Sequence, residues 1–295
     1  MKSKSKLWIG IGAFVLVGNE GSALPATDLL TTQTVTPPAT DKVRPELGNH
    51  GRSVLRLAQA WTLGAGGEGG EGGEGGEAGI NVGAADKDPV EYGIALQVIA
   101  AHYHAGFAAY EGAEKQAGAQ MFAHGLTEVY VEMEDIFKRR GVKDLGKKLE
   151  AAVEAATAGK PVRDVRRRVN DVYAALKMAE KAAPRSSAPV QAVKAQVVAE
   201  MVERAAAQYA VIQKDKGLEP YLDGLGFAIA ARGQAKDIQP WLRKLDAQKE
   251  KALSKALALT ADAYPGIKRP EKSKVSVSDL LAAASGAKLA VSNLK

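Results

Sequence analysis

Three of the four histidines in this chain, His102, His104 and His124, fall within one short window. His124 and Glu128 are four residues apart, a spacing that puts both side chains on one face of a helix. Met121 lies one turn before His124 on that face. His102 belongs to the preceding helix of the same hairpin, where an antiparallel crossing would bring its imidazole level with His124. Two imidazoles and a carboxylate suit zinc, copper or iron, and a thioether leans towards Cu(I). The candidate metal ligands are therefore His102, His124 and Glu128, with His104 and Met121 as further donors. Glu111, Glu132 and Glu134 are additional carboxylates within reach in sequence. The competing reading of each histidine is a hydrogen-bonded packing residue on an alanine-rich helix. His-x-x-x-Glu is also a much less specific pattern than His-Glu-x-x-His.

Other chemistries find little support. The chain has no cysteine, which excludes disulfides and thiolate ligands. It has no G-x-S-x-G, Walker A loop, dinucleotide fingerprint or H-E-x-x-H, so no catalysis is expected. Residues 66–77 repeat Gly-Gly-Glu four times, which reads as a flexible spacer. Its carboxylates, Glu68, Glu71, Glu74 and Glu77, are suited only to weak collection of hard cations. Arg163, Arg166, Arg167 and Arg168 read as a solvated helix face.

The net charge of +6 is unevenly spread. Residues 68–135 hold two basic and thirteen acidic side chains, whereas residues 136–295 hold 31 basic and 17 acidic ones. An acidic middle joined to a basic end implies self-complementary packing or a face that attracts cations. A nucleic-acid binder is not expected, since basic residues are not interleaved with aromatics, which make up only 5% of the chain.

The elements that must hold these residues are helical. Apolar content is 46%, much of it alanine, the best helix former, and no segment reads as a strand. Residues 1–26 read as a signal peptide: Lys2, Lys4 and Lys6, then the apolar run Leu7–Val17, then small residues up to Ala23 or Ala26. That run is too short to span a bilayer, so the mature chain is expected in the periplasm without a transmembrane segment. Residues 27–85 read as a flexible lead-in, with one short amphipathic helix at Ser53–Leu63 and the Gly/Glu repeat. Residues 86–265 form the helical domain, and residues 266–295 a charged loop with a short terminal helix.

Within the domain, Asp86 or Asp88 caps a helix with Pro89 at its first position and Gly112 at its end. A second helix spans about 114–140, closed by Gly141. Further helices are expected over 143–158, 161–183, 189–215, 221–235, 239–263 and 278–289. The expected fold is all-α, an array of antiparallel helical hairpins or bundle.

The run His102, Tyr110, His124-Gly-Leu-Thr-Glu128-Val-Tyr130 resembles a hairpin of exported all-helical proteins of alphaproteobacterial type. These carry a His, a Tyr eight residues on, and a His-Pro-x-x-Glu-Leu-Tyr element. Arg204 to Tyr209, Asp215 and Tyr221-Leu-Asp223-Gly-Leu-Gly226-Phe227 are similar to their second characteristic segment, which also occurs in the extracytoplasmic helical region of iron-permease proteins. The resemblance covers about residues 85–235. Gly125 stands where proline is usual, and Gln208 and Pro220 replace two acidic positions, which tells against a second carboxylate site near Tyr209. The resemblance implies a periplasmic protein handling a transition metal ion, iron or another, with a membrane metal transporter or a second copy of itself as partner. The alternative is a helical protein–protein interaction module that binds no metal.

Overall fold

The computed structural model describes residues 79–294. The signal peptide expected at 1–26, most of the lead-in, the helix expected at 53–63 and the Gly-Gly-Glu repeat lie outside the described residues.

Among the described residues the secondary structure is helical, with no strand. A single turn, α1 (Val82–Ala85), precedes the long α2 (Pro89–Glu111). Asp88 caps α2 by accepting from the Val90 amide at 2.8 Å, Pro89 takes the first position, and Gly112 ends it. Then come α3 (Lys115–His124), a π-helical turn (Gly125–Tyr130) and α4 (Val131–Arg139). The rest are α5 (Leu145–Thr157), α6 (Val162–Glu180), α7 (Val190–Val211), α8 (Leu218–Leu245), α9 (Ala247–Ala263) and α10 (Val277–Val291). None is long and apolar enough to cross a membrane.

The architecture is built around α2, which packs on α3, α6, α7 and α8. Such a helix must be apolar all round rather than along one stripe, and Tyr92, Ile94, Leu96, Val98, Ile99, Tyr103 and Tyr110 are all buried. The helices come close because the contact residues are small. A Cβ on Gly106 would lie 2.8 Å from the Gly118 carbonyl, and one on Gly118 would lie 2.6 Å from the Gly106 carbonyl, so α2 and α3 cross backbone to backbone. Buried tyrosines then fix the arrangement, each donating its hydroxyl to a main-chain carbonyl on another element: Tyr92 to Ala179 (3.0 Å), Tyr103 to Leu149 (3.0 Å), Tyr110 to Lys160 (2.7 Å) and Tyr264 to Ala205 (3.0 Å). A phenol buried without such a partner would be costly, so each bond restricts how its helix can sit. The α7–α8 pair is closed by α9 and α10, and α10 packs on both α7 and α9.

Three boundaries differ from the sequence expectation. The helix expected over 114–140 is interrupted by the π-turn. The helices expected at 221–235 and 239–263 instead meet at Asp246, which accepts from the amides of Gln248 and Lys249 and is a stronger start signal than Pro240. Helix α8 runs through Pro240 because Ile238 and Leu242 continue its buried face. Its start also moves, from Tyr221 back to Leu218, with Gly217 as the N-cap.

Candidate metal centre

Helix α2 presents His102 towards the α3–π segment, which carries His124 and Glu128. One donor atom from each of the three residues lies within 4.8 Å of the other two. The imidazole centroids are 6.2 Å apart and nearly perpendicular, and both residues are buried, with 6% and 8% exposure. The antiparallel crossing expected from the sequence therefore brings these three side chains together.

Local structure explains the convergence. A Cβ on Gly125 would lie 3.2 Å from the His102 Cβ, so glycine lets the chain after His124 come close to α2 at this level. Helix α8 approaches from another side at the same height, where a Cβ on Gly226 would lie 2.4 Å from the Ala101 carbonyl. The π-turn carries Glu128, and the Val131 amide closes it on the Leu126 carbonyl, one residue further back than in an α-helix. Turns of this kind are frequent at functional sites.

The chemistry of His102 is set by its neighbours. Its Nδ1 lies 2.9 Å from the Val98 carbonyl, which can only accept. The proton is therefore on Nδ1, and Nε2 carries a free lone pair. Burial, chiefly, pulls the imidazole down to about 4, with His124 and Arg204 adding to the effect against the Val98 bond, so the ring is neutral at neutral pH. A neutral imidazole whose other nitrogen is held by a backbone carbonyl is the form in which histidine ligates metals. Phe227 meets the same ring edge-on at 6.4 Å between centroids.

Two carboxylates that the sequence reading did not select as ligands come from α8. Asp223 Oδ1 is 3.8 Å from His102 Nε2, and Glu219 Oε1 is 3.7 Å from His124 Nδ1, the same distance as Glu128 Oε1. Glu219 and Asp223 are four apart on α8, so both leave it on one face. Burial, then the nearby Glu219 and Glu128 charges, push the Asp223 carboxyl up to about 8.

His104 is placed elsewhere. Two residues along a helix is a turn of about 200°, so it leaves α2 on the face opposite His102. Its ring stacks on Tyr173 at 4.6 Å, and Nδ1 shares a 2.8 Å hydrogen bond with the Tyr173 hydroxyl. Met121 is buried in the core at 1% exposure. Glu111 pairs with Arg166 at the surface, and the half-buried Glu134 pairs with the exposed Lys138.

The fold and the site together define an all-helical protein with a buried cluster of imidazoles and carboxylates where α2, the α3–π segment and α8 meet. No family model matches the chain, and no curated protein or solved structure matches it significantly.

Proposed function

We propose that this is a periplasmic, non-catalytic metal-binding accessory protein that serves transition-metal uptake. His102, His124 and Glu128 form the core of its site, and a membrane metal transporter is its partner. The observation that carries the reading is the meeting of these three donors in a buried position, from two separate helical segments. Chance surface pairs of histidine and glutamate do not combine burial, a fixed tautomer and a second imidazole. Iron is the cargo that the resemblance to iron-permease proteins points to, and zinc and copper suit the same donors.

Elemental analysis of the purified protein tests the reading. One ion per chain is expected in the wild type and a substoichiometric amount in His124→Ala. A wild-type protein that takes up no metal when loaded with Fe2+, Zn2+ or Cu2+, or a His124→Ala variant that keeps full stoichiometry, would reject it. Met121→Leu, tested alongside, decides whether the thioether contributes.

A further inference from the structure

The proposed site uses one side of the imidazole pair and leaves α8 unexplained. His102 Nε2 has its lone pair outward, because its ring proton is donated to the Val98 carbonyl. The atom nearest to it in the ion-pair geometry is Asp223 Oδ1, at 3.8 Å. That is too long for a hydrogen bond. Asp223 Oδ1 is buried and has no hydrogen-bond partner, a state that native proteins avoid unless something else satisfies the atom. The His102 Nε2 lone pair and Asp223 Oδ1 thus face each other across a gap with no hydrogen bond between them.

The gap has the dimensions of a coordination edge. In a tetrahedral site with bonds of about 2.0–2.2 Å, neighbouring donors are about 3.4 Å apart. The contacts here are 3.8 Å for His102–Asp223 and 3.7 Å for both His124–Glu128 and His124–Glu219. Each imidazole therefore has a carboxylate oxygen from α8 a few tenths of an ångström beyond that edge. The two α8 carboxylates differ in exposure: the Asp223 side chain is 19% exposed and that of Glu219 is 53% exposed. One is mostly buried, and the other is open to solvent.

We infer that Asp223 is a fourth metal ligand supplied by α8, that Glu219 is the carboxylate an incoming ion meets first, and that the cargo is a divalent first-row cation. The inference rests on the proposed function and narrows it. Two imidazoles with two or three carboxylates make an all-nitrogen and oxygen donor set. Such a set holds Zn2+, Fe2+ or Mn2+, and it gives Cu(I) none of the sulfur it prefers unless the Met121 thioether joins it. Since α8 would then share an ion with α2 and the α3–π segment, the ion joins elements that are far apart in sequence.

Calorimetric titration of the purified protein with Zn2+ and with Mn2+, and competition with a Cu(I) chelator, tests this on the wild type, Asp223→Asn, Glu219→Gln and His124→Ala. The wild type is expected to bind one Zn2+ per chain, more tightly than Cu(I). Asp223→Asn should weaken Zn2+ by about tenfold or more while leaving the helical circular dichroism unchanged. Glu219→Gln, at an exposed position where packing is not disturbed, should weaken it by a few-fold and slow association at low salt. Wild-type affinity in both α8 variants, with binding lost in His124→Ala, would overturn the inference and leave the proposed function standing. Tighter binding of Cu(I) than of Zn2+ would overturn the cargo class. A wild type that binds no ion would remove both.

Discussion

The two faces of α2 make an instructive contrast. His102 and His104 are two residues apart on one helix, both are pulled down to about 4 by burial, and both keep neutral rings at neutral pH. Burial and protonation state therefore do not distinguish them. The difference lies in what each ring faces. On one side, the α3–π segment and α8 bring Glu128, Glu219 and Asp223 around a pair of imidazoles. On the other, α6 brings a single phenol, which stacks on the ring and takes up its Nδ1. A ring held by a phenol is a packing residue. A ring whose remaining lone pair faces carboxylates is a place for a cation.

The strongest way to break this contrast is to push α8 away from α2. Gly226→Val puts branched carbon where a single Cβ already lies 2.4 Å from the Ala101 carbonyl. Overpacking of this kind costs about 2–3 kcal/mol, read as a lower urea midpoint. Any metal binding that depends on α8 should fall with it, while the His104–Tyr173 contact on the far side of α2 should persist.

A milder change sharpens the contrast from the other side. His104→Phe keeps a ring for Tyr173 to stack on and removes the hydrogen bond. It should cost about 1 kcal/mol of stability, and it should leave metal stoichiometry at the wild-type value by elemental analysis. Loss of metal in this variant would show that the two faces are not separate.

A further effect is on pH. His104 is ionised only near 4 in the folded state because of its burial, against an ordinary value of 6.5 in the unfolded chain. As pH falls below 6.5 the unfolded chain takes up the proton first, so stability drops between 6.5 and about 4 and levels off below that. Chemical denaturation of metal-free protein across this range should show the fall, and His104→Phe should reduce it. A pH profile identical to the wild type would contradict the assigned environment of His104.

Much of the fold was legible because its signals are local. Asp88-Pro89, Gly112 and Gly141 mark helix ends by backbone chemistry that needs no tertiary context. The break near Pro240 was misplaced because the decision is tertiary: the buried face of Ile238 and Leu242 carries the helix past the proline. The His102, His124 and Glu128 grouping could be anticipated because a hairpin with known helix limits nearly fixes which residues lie level. Asp223 and Glu219 could not, since their helix is about a hundred residues downstream and only packing brings it to α2. The π-turn left no mark in the apolar spacing that would separate it from α-helix.

That turn has a consequence for how the segment can change. A π-turn holds one more residue than an α-helix of the same length, so it acts as a phase shift between α3 and α4. His124 is set by the register before the shift, whereas Met133, Ile136 and Phe137 are set by the register after it. Deleting one residue between Gly125 and Tyr130 would restore an ordinary helix, but only by rotating one of these groups about 100° away from its neighbours. The chain can keep its continuous rod or keep both facings, and the extra residue is how it keeps both.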